Sequence, residues 1–337
     1  MVSACGSPKA QESSSTAGTA TVAATTSPLA KLKIQLKWVP QAQFAGYYVA
    51  KEKGFYKDEG IDATIIPGGP DVIMEQQVSN GAADIGITGI DSLLVNIDNG
   101  LPLESIAQIS QTSSNLLISK KSSGIDSFAK MKGKKIGSWM GSQQFQILAF
   151  LEKEGLNPKQ DISIVKQGFT MDQFFNNQLD VASATTYNEY HVVLESGIKP
   201  EDLNVFRVED GGLAMLEDAI FAKRDWVKNH RDLAVKVVRA TLKGWKYAMD
   251  HQDEAVDIVM NNVQKGSTTR EHQVTMLKEF LKLVKPDGFP ADKIGTIPED
   301  KFKTTADIAL KYGLIKKPTD LTTAYDKTIV EDAMKSQ

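Results

Sequence analysis

The pattern of apolar and polar positions contains one arrangement that occurs twice. In residues 77–91, a helix end and a tight turn lead to an Asp, a short apolar strand and a polar stop. The same order of positions returns in residues 173–189. Ligands of open α/β sheets sit just beyond the carboxyl ends of the strands. The repeat therefore predicts two halves of the chain whose strand ends face one cleft.

The rest of the body, from Lys31 onward, continues to alternate between strand and helix patterns. The predicted strands are 33–38, 61–66, 84–88, 105–108, 116–119, 134–139, 162–165, 180–184, 203–208 and 214–222. From Asp225 the pattern is almost wholly helical, with a long helix from Arg231 to about His251. Alternating strands and helices predict an α/β protein whose parallel-rich sheets are covered by helices on both faces.

The length of 337 residues exceeds one ordinary hydrophobic core and predicts two domains. We expect the chain to cross between two lobes near residues 119–123 and to return near 208–220. The predicted divisions are a terminal segment at 1–30, a first lobe at 31–119, a second lobe at 120–213, and a return to the first lobe with C-terminal helices at 214–337.

The first thirty residues have a composition of their own. Cys5, the only cysteine, follows small residues in a way that resembles a bacterial lipobox, although four residues can also match by chance. Residues 6–30 are almost wholly Ser, Thr, Ala, Gly, Pro and Gln and contain no aromatic residue. Such a segment buries too little apolar surface to fold and predicts a flexible tether. We therefore expect an extracytoplasmic lipoprotein anchored to the membrane by a lipidated Cys5, with Met1 standing where a signal peptide was removed.

The bulk composition narrows the possible functions. A net charge of −3 with no dense Lys/Arg block argues against a nucleic-acid surface. No apolar run reaches the roughly 18 residues of a membrane span. The four histidines are scattered, so no metal site is predicted. The sequence has no nucleophile elbow, phosphate loop or nucleophile–base pair, so neither a catalytic residue nor a cofactor is predicted.

The turns that follow the predicted strands carry aromatic, amide and carboxylate side chains. In the first half these are Trp38, Gln41, Gln43, Phe44 and Asp91; in the second half they are Trp139, Ser142, Tyr187, Asn188 and Glu189. Aromatic faces stack on flat rings, each pair adding about 0.5–1.5 kcal/mol beyond area burial. Carboxylates and amides pair with the N–H and carbonyl edges of such rings. The set predicts a site for a flat heteroaromatic ligand, although Asp91 fits a helix N-cap equally well.

Several segments resemble the thiamine-pyrimidine-precursor family of solute-binding proteins. The segment 38–50, Trp-Val-Pro-Gln-Ala-Gln-Phe-Ala-Gly-Tyr-Tyr-Val-Ala, and the segment 53–61 look like the opening of that family. Residues 67–72, 80–84 and 133–137 continue the match, which covers about 32–248. The resemblance implies a type II periplasmic-binding-protein fold, with a ligand cleft between two lobes. It also implies a small-molecule vitamin as ligand and an ABC permease as partner; we expect a monomer.

The resemblance also bears on the ligand. Pyrimidine binders of the family often carry Asn and His in the first turn, whereas this chain has Gln41-Ala42-Gln43-Phe44, which is more similar to a riboflavin-binding branch. Tyr187 to Glu189 and Met215 to Asp218 resemble the same branch. We therefore expect riboflavin, with formylaminopyrimidine or hydroxymethylpyrimidine as the alternative.

Two other functional classes, an enzyme and a ligand-sensing ectodomain, are less consistent with the sequence. The family includes a fungal synthase that consumes its own active-site His and carries a cysteine-rich segment. Here Asp91 stands at the position of that His, and Cys5 is the only cysteine, so an enzyme is not expected. A ligand-sensing ectodomain would be favoured by a kinase module or a transmembrane run, and the sequence has neither.

Overall fold

The computed structural model describes residues 1–6, 28–139 and 144–335. The strands of these ranges are β1 (Ala30–Gln35), β2 (Ile61–Ile66), β3 (Ile85–Thr88), β4 (Leu103–Gln108), β5 (Asn115–Lys120), β6 (Lys135–Ser138), β7 (Ser163–Lys166), β8 (Ala182–Thr185), β9 (Leu203–Arg207) and β10 (Ala219–Lys223). Most of the predicted tether, 7–27, lies outside the described residues, while Cys5 is described and exposed.

The α-helices of the same ranges fill the intervals between strands and then make up the C-terminal third. They are α1 (Ala45–Glu52), α2 (Phe55–Asp58), α3 (Met74–Ser79), α4 (Ile90–Asp98), α5 (Phe145–Lys153), α6 (Asp172–Phe175), α7 (Glu189–Glu195), α8 (Arg224–Asn229), α9 (Arg231–Asp250), α10 (Gln252–Met260), α11 (Arg270–Val284), α12 (Glu299–Lys311), α13 (Leu321–Ala324) and α14 (Lys327–Lys335). Short 3-10 turns also occur, including one at Ala42–Phe44.

The largest sheet has five strands in the order β2-β1-β3-β10-β4. β1 is parallel to both β2 and β3, whereas β10 is antiparallel to both β3 and β4. The register shows how β10 is placed. Ala219, the first residue of β10, pairs with Thr88 and with Gln108, the last residues of β3 and β4. β10 thus enters the sheet at the carboxyl ends of its neighbours and runs back along them. The expectation of a parallel sheet is therefore wrong for this strand.

The remaining strands form two smaller sheets. A three-stranded sheet has the order β8-β5-β9 and is antiparallel throughout, while β6 and β7 form a parallel pair. A parallel bridge between Ile136 and Val181 connects β6 to the residue just before β8. The second half is therefore mixed rather than parallel, since its central strand β5 runs against both of its neighbours. The alternating strand and helix patterns in the sequence do not indicate whether neighbouring strands run parallel or antiparallel.

The change of sheet comes earlier in the chain than predicted. β4 belongs to the five-stranded sheet and β5 to the three-stranded sheet, so the chain passes between them at residues 109–114. The predicted crossing between lobes at 119–123 begins near the end of β5 and so does not coincide with this passage between sheets; as a lobe boundary it stays a prediction. The chain returns between β9 and β10, at residues 208–218, within the predicted stretch. The assignment of 31–119, 120–213 and 214–337 to two lobes stays a prediction.

The C-terminal helices hold the first turn of the site in place. α9 packs against α1 so closely that a Cβ on Gly244 would collide with the backbone oxygen of Gly46. The backbone N–H of Ala42, in the turn that leads into α1, donates to the side-chain oxygen of Gln273 on α11 at 2.6 Å. The segment after β1 and helix α1 are thereby fastened to helices far along the chain, since Gly46 and Gly244 are 198 residues apart and Ala42 and Gln273 are 231 apart.

Candidate functional site

A cavity, here called the inner cavity, lies where the strand ends of the five-stranded sheet meet the smaller sheets. It encloses about 630 Å³ of space free of protein atoms, counting its open mouth. Trp38, Gln41, Gln43 and Asp91 line it from the first half of the chain, and Trp139, Tyr187, Asn188 and Glu189 line it from the second. The structure therefore brings together eight of the ten residues selected from the sequence.

The two other selected residues differ from this set. Phe44 is fully buried and lies against Tyr47 in the core, with ring centroids 6.4 Å apart, and it does not line the cavity. Its position at the end of the 3-10 turn directs the ring inward, beneath α1, which explains why a residue near the strand end is structural. Ser142 falls in 140–143, outside the described residues.

Trp38 and Trp139 meet across the inner cavity. Their ring centroids are 6.0 Å apart and their planes are inclined by 70°, so the edge of one ring faces the other. The indole N–H of Trp139 donates to the carbonyl oxygen of Gly168 at 3.2 Å. A ring sandwiched between two aromatic faces needs roughly 7 Å between them, twice the contact distance of carbon atoms. The two indoles must therefore separate and turn before a flat ligand can lie between them.

Tyr187 is the third predicted aromatic residue of the cavity. Its ring meets Phe280 of α11 edge to face, with centroids 5.1 Å apart and an interplanar angle of 87°. Burial, followed by the charges of Asp218 and Glu217, raises the pKa of its hydroxyl well above the ordinary value. Tyr187 therefore stays neutral and offers both a ring and a hydroxyl to the cavity.

A chain of hydrogen bonds orders the amides that follow β1. Gln41 donates to the side-chain oxygen of Gln43 at 2.7 Å, and Gln43 donates to Asp218 at 2.8 Å. The other oxygen of Asp218 accepts from Lys37 at 3.1 Å. Burial is the largest influence on the pKa of Lys37 and lowers it, but the charges of Asp218, Glu217 and Asp91 together outweigh burial and leave it raised. Lys37 therefore remains a cation inside the cavity wall.

The residues that follow β8 form a second network. Glu189 accepts from the backbone N–H of Thr185 at 3.0 Å and from its hydroxyl at 2.8 Å, and it also accepts from Asn188 at 2.8 Å. Asn188 lies 3.0 Å from a ring nitrogen of His272 and donates to Gln41 at 3.5 Å, the longest of these contacts. Burial raises the pKa of Glu189, although the hydroxyl and N–H of Thr185 act in the opposite direction.

Glu217 was not among the residues selected from the sequence, although it lies in the segment 215–218 that resembles the riboflavin-binding branch. It accepts from the hydroxyls of Ser113 and Ser114 at 2.8 and 2.6 Å, from the N–H of Ser114 at 2.9 Å and from Asn115 at 2.8 Å. Burial raises its pKa, while Lys37 lowers it. The polar run at 113–115, directly before a buried strand, was the available signal for this part of the wall. Gln146 and Thr88 also line the cavity and were not selected.

Asp91 does not cap its helix. Gly89 occupies the N-cap of α4 and Asp91 lies in the first turn of the helix, so the interpretation of Asp91 as the N-cap residue is wrong. Its carboxylate folds back over Gly89 so closely that a Cβ there would collide with it. Burial raises the pKa of Asp91 to about 7; Ser92 lowers it through a backbone hydrogen bond, Glu217 raises it, and Lys37 lowers it. Asp91 is thus poised to accept or donate a hydrogen bond near neutral pH.

The charges around the inner cavity are unequal. Asp91, Glu189 and Glu217 line it, whereas Lys37 is the one cationic side chain among the described residues of its lining and is paired with Asp218. Like charges placed together in a desolvated site disfavour binding strongly. The cavity therefore disfavours anions and suits a neutral ligand with N–H or O–H donors.

A second and larger space, here called the outer cavity, adjoins the first. It contains about 1390 Å³ free of protein atoms, counting its open mouth, and it shares Trp38, Gln41, Asn188 and Glu189 with the inner cavity. Its further walls come from residues 169–175, from α7, from the segment 262–268 between α10 and α11, and from residues 272–276 of α11. The hydrogen-bonded side chains of Gln41, Asn188 and His272 stand at the boundary, and we call these three residues the partition.

Across residues 1–6, 28–139 and 144–335, no helix is both long and apolar enough to cross a membrane. In the same ranges, no group of His, Cys, Asp and Glu side chains is arranged to hold a metal ion.

Comparison with known families and proteins places this geometry in context. The family model described as NMT1/THI5 like matches residues 41–255. The riboflavin-binding protein RibY of Chloroflexus aurantiacus is 25% identical over 98% of this chain and 94% of its own length. A formylaminopyrimidine-binding protein of Halalkalibacterium halodurans is 23% identical over 77% of this chain and 80% of its own. A 4-amino-5-hydroxymethyl-2-methylpyrimidine phosphate synthase of Uromyces fabae is 26% identical over 64% and 65%.

Solved structures agree on the fold. The periplasmic aliphatic sulphonate binding protein SsuA of Escherichia coli superposes with a TM-score of 0.66 at 16% identity, covering 87% of this chain and 91% of that one. The periplasmic nitrate-binding protein NrtA of Synechocystis superposes with a TM-score of 0.63 at 12% identity, covering 91% and 89%. The predicted periplasmic-binding-protein fold is thus confirmed, with mixed rather than parallel-rich sheets.

Proposed function

Because the chain belongs to the NMT1/THI5-like family, we propose that it captures a flat heteroaromatic vitamin, riboflavin, for an ABC importer. The observation that carries this proposal is the inner cavity, where Trp38, Trp139 and Tyr187 meet a set of buried carboxylates and amides. Aromatic rings supply stacking surfaces, and the polar groups supply fixed hydrogen-bond partners for the edges of a ring. A cavity built in this way binds and orients a heterocycle without reacting with it.

The charge of the cavity supports a ligand class different from that of the structural relatives. SsuA is an aliphatic sulphonate binding protein and NrtA is a nitrate-binding protein, and both of these ligands are anions. Here three carboxylates face the cavity, and Lys37 is already paired with Asp218. An anionic ligand would meet net repulsion, so the unphosphorylated form of a vitamin is the expected ligand.

The comparisons support riboflavin first and a pyrimidine second. The riboflavin-binding relative aligns with nearly the whole chain, whereas the formylaminopyrimidine-binding relative aligns with about three quarters of it. An aminopyrimidine remains the alternative ligand, because its N–H groups would also pair with Asp91, Glu189 and Glu217. Both ligands are flat and uncharged, and both suit the same importer function.

Binding is favoured over catalysis. A synthase also belongs among the relatives, so the family alone does not decide this point. At the position that the resemblance gives to the self-consumed His of the fungal enzyme, this chain has Asp91, which cannot supply an imidazole ring. We propose that the protein releases its ligand chemically unchanged to a permease. We further propose an extracytoplasmic location with an anchor on Cys5, which is exposed.

The test is to measure binding and chemical fate together. Purified protein should be titrated with riboflavin and, separately, with formylaminopyrimidine, and the ligand then extracted and weighed by mass spectrometry. We expect saturable one-to-one binding of riboflavin, a visible flavin absorption that persists after gel filtration, and full recovery of unchanged ligand. Flavin mononucleotide serves as the anionic control and should bind more weakly. Stoichiometric conversion of either compound would overturn the binding function; tight binding of the pyrimidine alone would replace riboflavin as the ligand.

A further inference from the structure

The lining of the outer cavity combines apolar side chains with amide and hydroxyl groups. Apolar side chains of Phe169, Met171 and Val192 form part of its wall, and Phe169 is 53% exposed. Amide and hydroxyl side chains from the segment between α10 and α11 form another part; these are Asn262, Gln264, Ser267 and Thr268. Exposed apolar surface beside convergent polar groups is typical of a ligand site.

The two cavities are parts of one space rather than separate pockets. Four residues line both cavities, and side-chain contacts of Asn188 with Gln41 and with His272 lie where the two cavities adjoin. In the partition, the contact of Asn188 with Gln41 is 3.5 Å long, at the outer limit of a hydrogen bond, while its contact with His272 is 3.0 Å. The partition is therefore weakest at Gln41, where the amides of Gln41 and Asn188 lie close enough to exchange their mutual contact for a ligand hydroxyl.

We propose that the outer cavity is a second subsite that holds a flexible hydroxylated chain of the same ligand whose ring lies in the inner cavity. This rests on the proposed function and deepens it, because it makes the ligand a molecule of two parts. Riboflavin has this form: a flat ring system with a chain that carries several hydroxyl groups. A simple pyrimidine would occupy the inner cavity alone. The chain would pass between Gln41 and Asn188 and meet the amide and hydroxyl groups of residues 262–268.

The test compares two flavins that differ only in the chain. Riboflavin carries the chain, and lumiflavin carries a methyl group in its place. The chain of riboflavin can form several hydrogen bonds that lumiflavin cannot form, so the unmodified protein should bind riboflavin about tenfold or more tightly than lumiflavin. Fluorescence titration of each flavin gives both dissociation constants in one series.

A variant that fills the outer cavity sharpens the test. Val192→Trp on α7 places an indole in the outer cavity, of which Val192 forms part of the wall, whereas it does not line the inner cavity. We expect this variant to lose most of the preference for riboflavin and to keep its affinity for lumiflavin, which also shows that it is folded. Thr170→Trp, from an exposed position before α6, should act in the same direction. Val274→Trp on α11 is the matched control, since Val274 is 36% exposed and lines neither cavity.

The outcomes separate this inference from the function on which it rests. If both flavins bind to the unmodified protein with equal affinity, or if the two filling variants weaken both flavins equally, the outer cavity does not hold the chain, and the riboflavin-binding function stands. If the unmodified protein binds neither flavin and binds the pyrimidine, both the two-part ligand and riboflavin are overturned, while the importer function stands.

Discussion

At the scale of single residues, Asp91 shows how burial changes the chemistry of a side chain. It is 8% exposed, and its carboxylate lies near two other carboxylates, those of Glu217 and Glu75, with Lys37 as the opposing charge. Burial and these charges raise its pKa from 3.8 to about 7. Between those two pH values the folded protein holds a proton that the unfolded chain has lost. Folding is then favoured at low pH and disfavoured as the carboxylate ionises.

The first prediction concerns the direction in which stability changes with pH. In the empty protein, the free energy of unfolding should fall as the pH rises from about 4 to about 7, because the folded state releases the proton of Asp91 later than the unfolded state. Asp91→Asn should remove this part of the slope, so the variant should match the unmodified protein near pH 4 and exceed it in stability at pH 8. One pKa unit corresponds to about 1.4 kcal/mol, so a difference of a few kcal/mol is expected in urea unfolding.

The control is Asp58→Asn, because Asp58 is an exposed carboxyl in α2 and should leave the pH profile unchanged. The raised pKa values of Glu217 and Glu189 add to the slope in the same direction, so Asp91→Asn flattens the profile without abolishing it. Parallel profiles for Asp91→Asn and the unmodified protein would show that Asp91 ionises without resistance and is solvated in the folded state.

At the scale of elements, the sequence was most informative where a short strand ends in a turn. β1 ends at Gln35 and β6 at Ser138, and the Trp residues that follow them, Trp38 and Trp139, both reach the inner cavity. The alternation of positions located these ends to within a few residues, which suffices to place a side chain at the cavity. The same alternation did not distinguish Phe44 from the cavity-lining residues near it, because the direction of the Phe44 ring depends on the 3-10 turn that precedes α1.

Other parts of the site could not be read from the sequence for a physical reason. Glu217 and Asp218 precede β10, which is inserted antiparallel between β3 and β4. This insertion places Glu217 in the lining of the inner cavity and Asp218 against Lys37 and Gln43. A one-dimensional pattern gives the existence of a strand but not its neighbours or direction. His272 lies on α11 and meets Asn188 only through tertiary packing, so nothing local marks it as part of the partition.

The second prediction concerns the aromatic residues at these strand ends. Replacing Trp38, Trp139 or Tyr187 singly by Ala should weaken riboflavin binding by roughly 1–3 kcal/mol, since stacking and apolar burial are lost together. Isothermal titration with each variant measures the change. Trp226→Ala is the matched control, because Trp226 lies half-buried on α8 and lines neither cavity. Unchanged affinity in all three variants would place the ligand elsewhere on the protein.

At the scale of the whole molecule, the inner cavity is closed by contacts between distant parts of the chain. Trp38 follows a strand of the five-stranded sheet, and Trp139 follows a strand of the smaller sheets, so their contact joins the two sides of the cleft. A second junction lies at α11, where His272 contacts Glu195 of α7 at 2.9 Å. The contact of Trp38 with Trp139 occupies the space that a sandwiched ring would need. The two-lobe division and the monomeric state remain predictions that a measurement in solution can address.

The last prediction is that ligand draws the two lobes together from an open form in solution in which Trp38 and Trp139 lie apart, since their edge-to-face contact must open before a flat ring can enter. Neither Trp38 and Asp91 on one side nor Trp139, Tyr187 and Glu189 on the other can surround a flat ring alone, so the ligand has more contacts when both sides approach it. A ligand shifts such an equilibrium only through its greater affinity for the closed form, and the segments 109–114 and 208–218 that join the sheets are the expected hinges.

Small-angle scattering should therefore show a smaller radius of gyration with saturating riboflavin than without it. The Trp38→Ala variant should show no such decrease when it is measured at a riboflavin concentration that saturates the unmodified protein but lies below the dissociation constant of the variant. An unchanged radius in the unmodified protein would mean that the lobes are already closed when empty or that the cleft lies elsewhere. A crystal structure of the empty protein separates these outcomes, since only the first keeps the edge-to-face contact of Trp38 with Trp139.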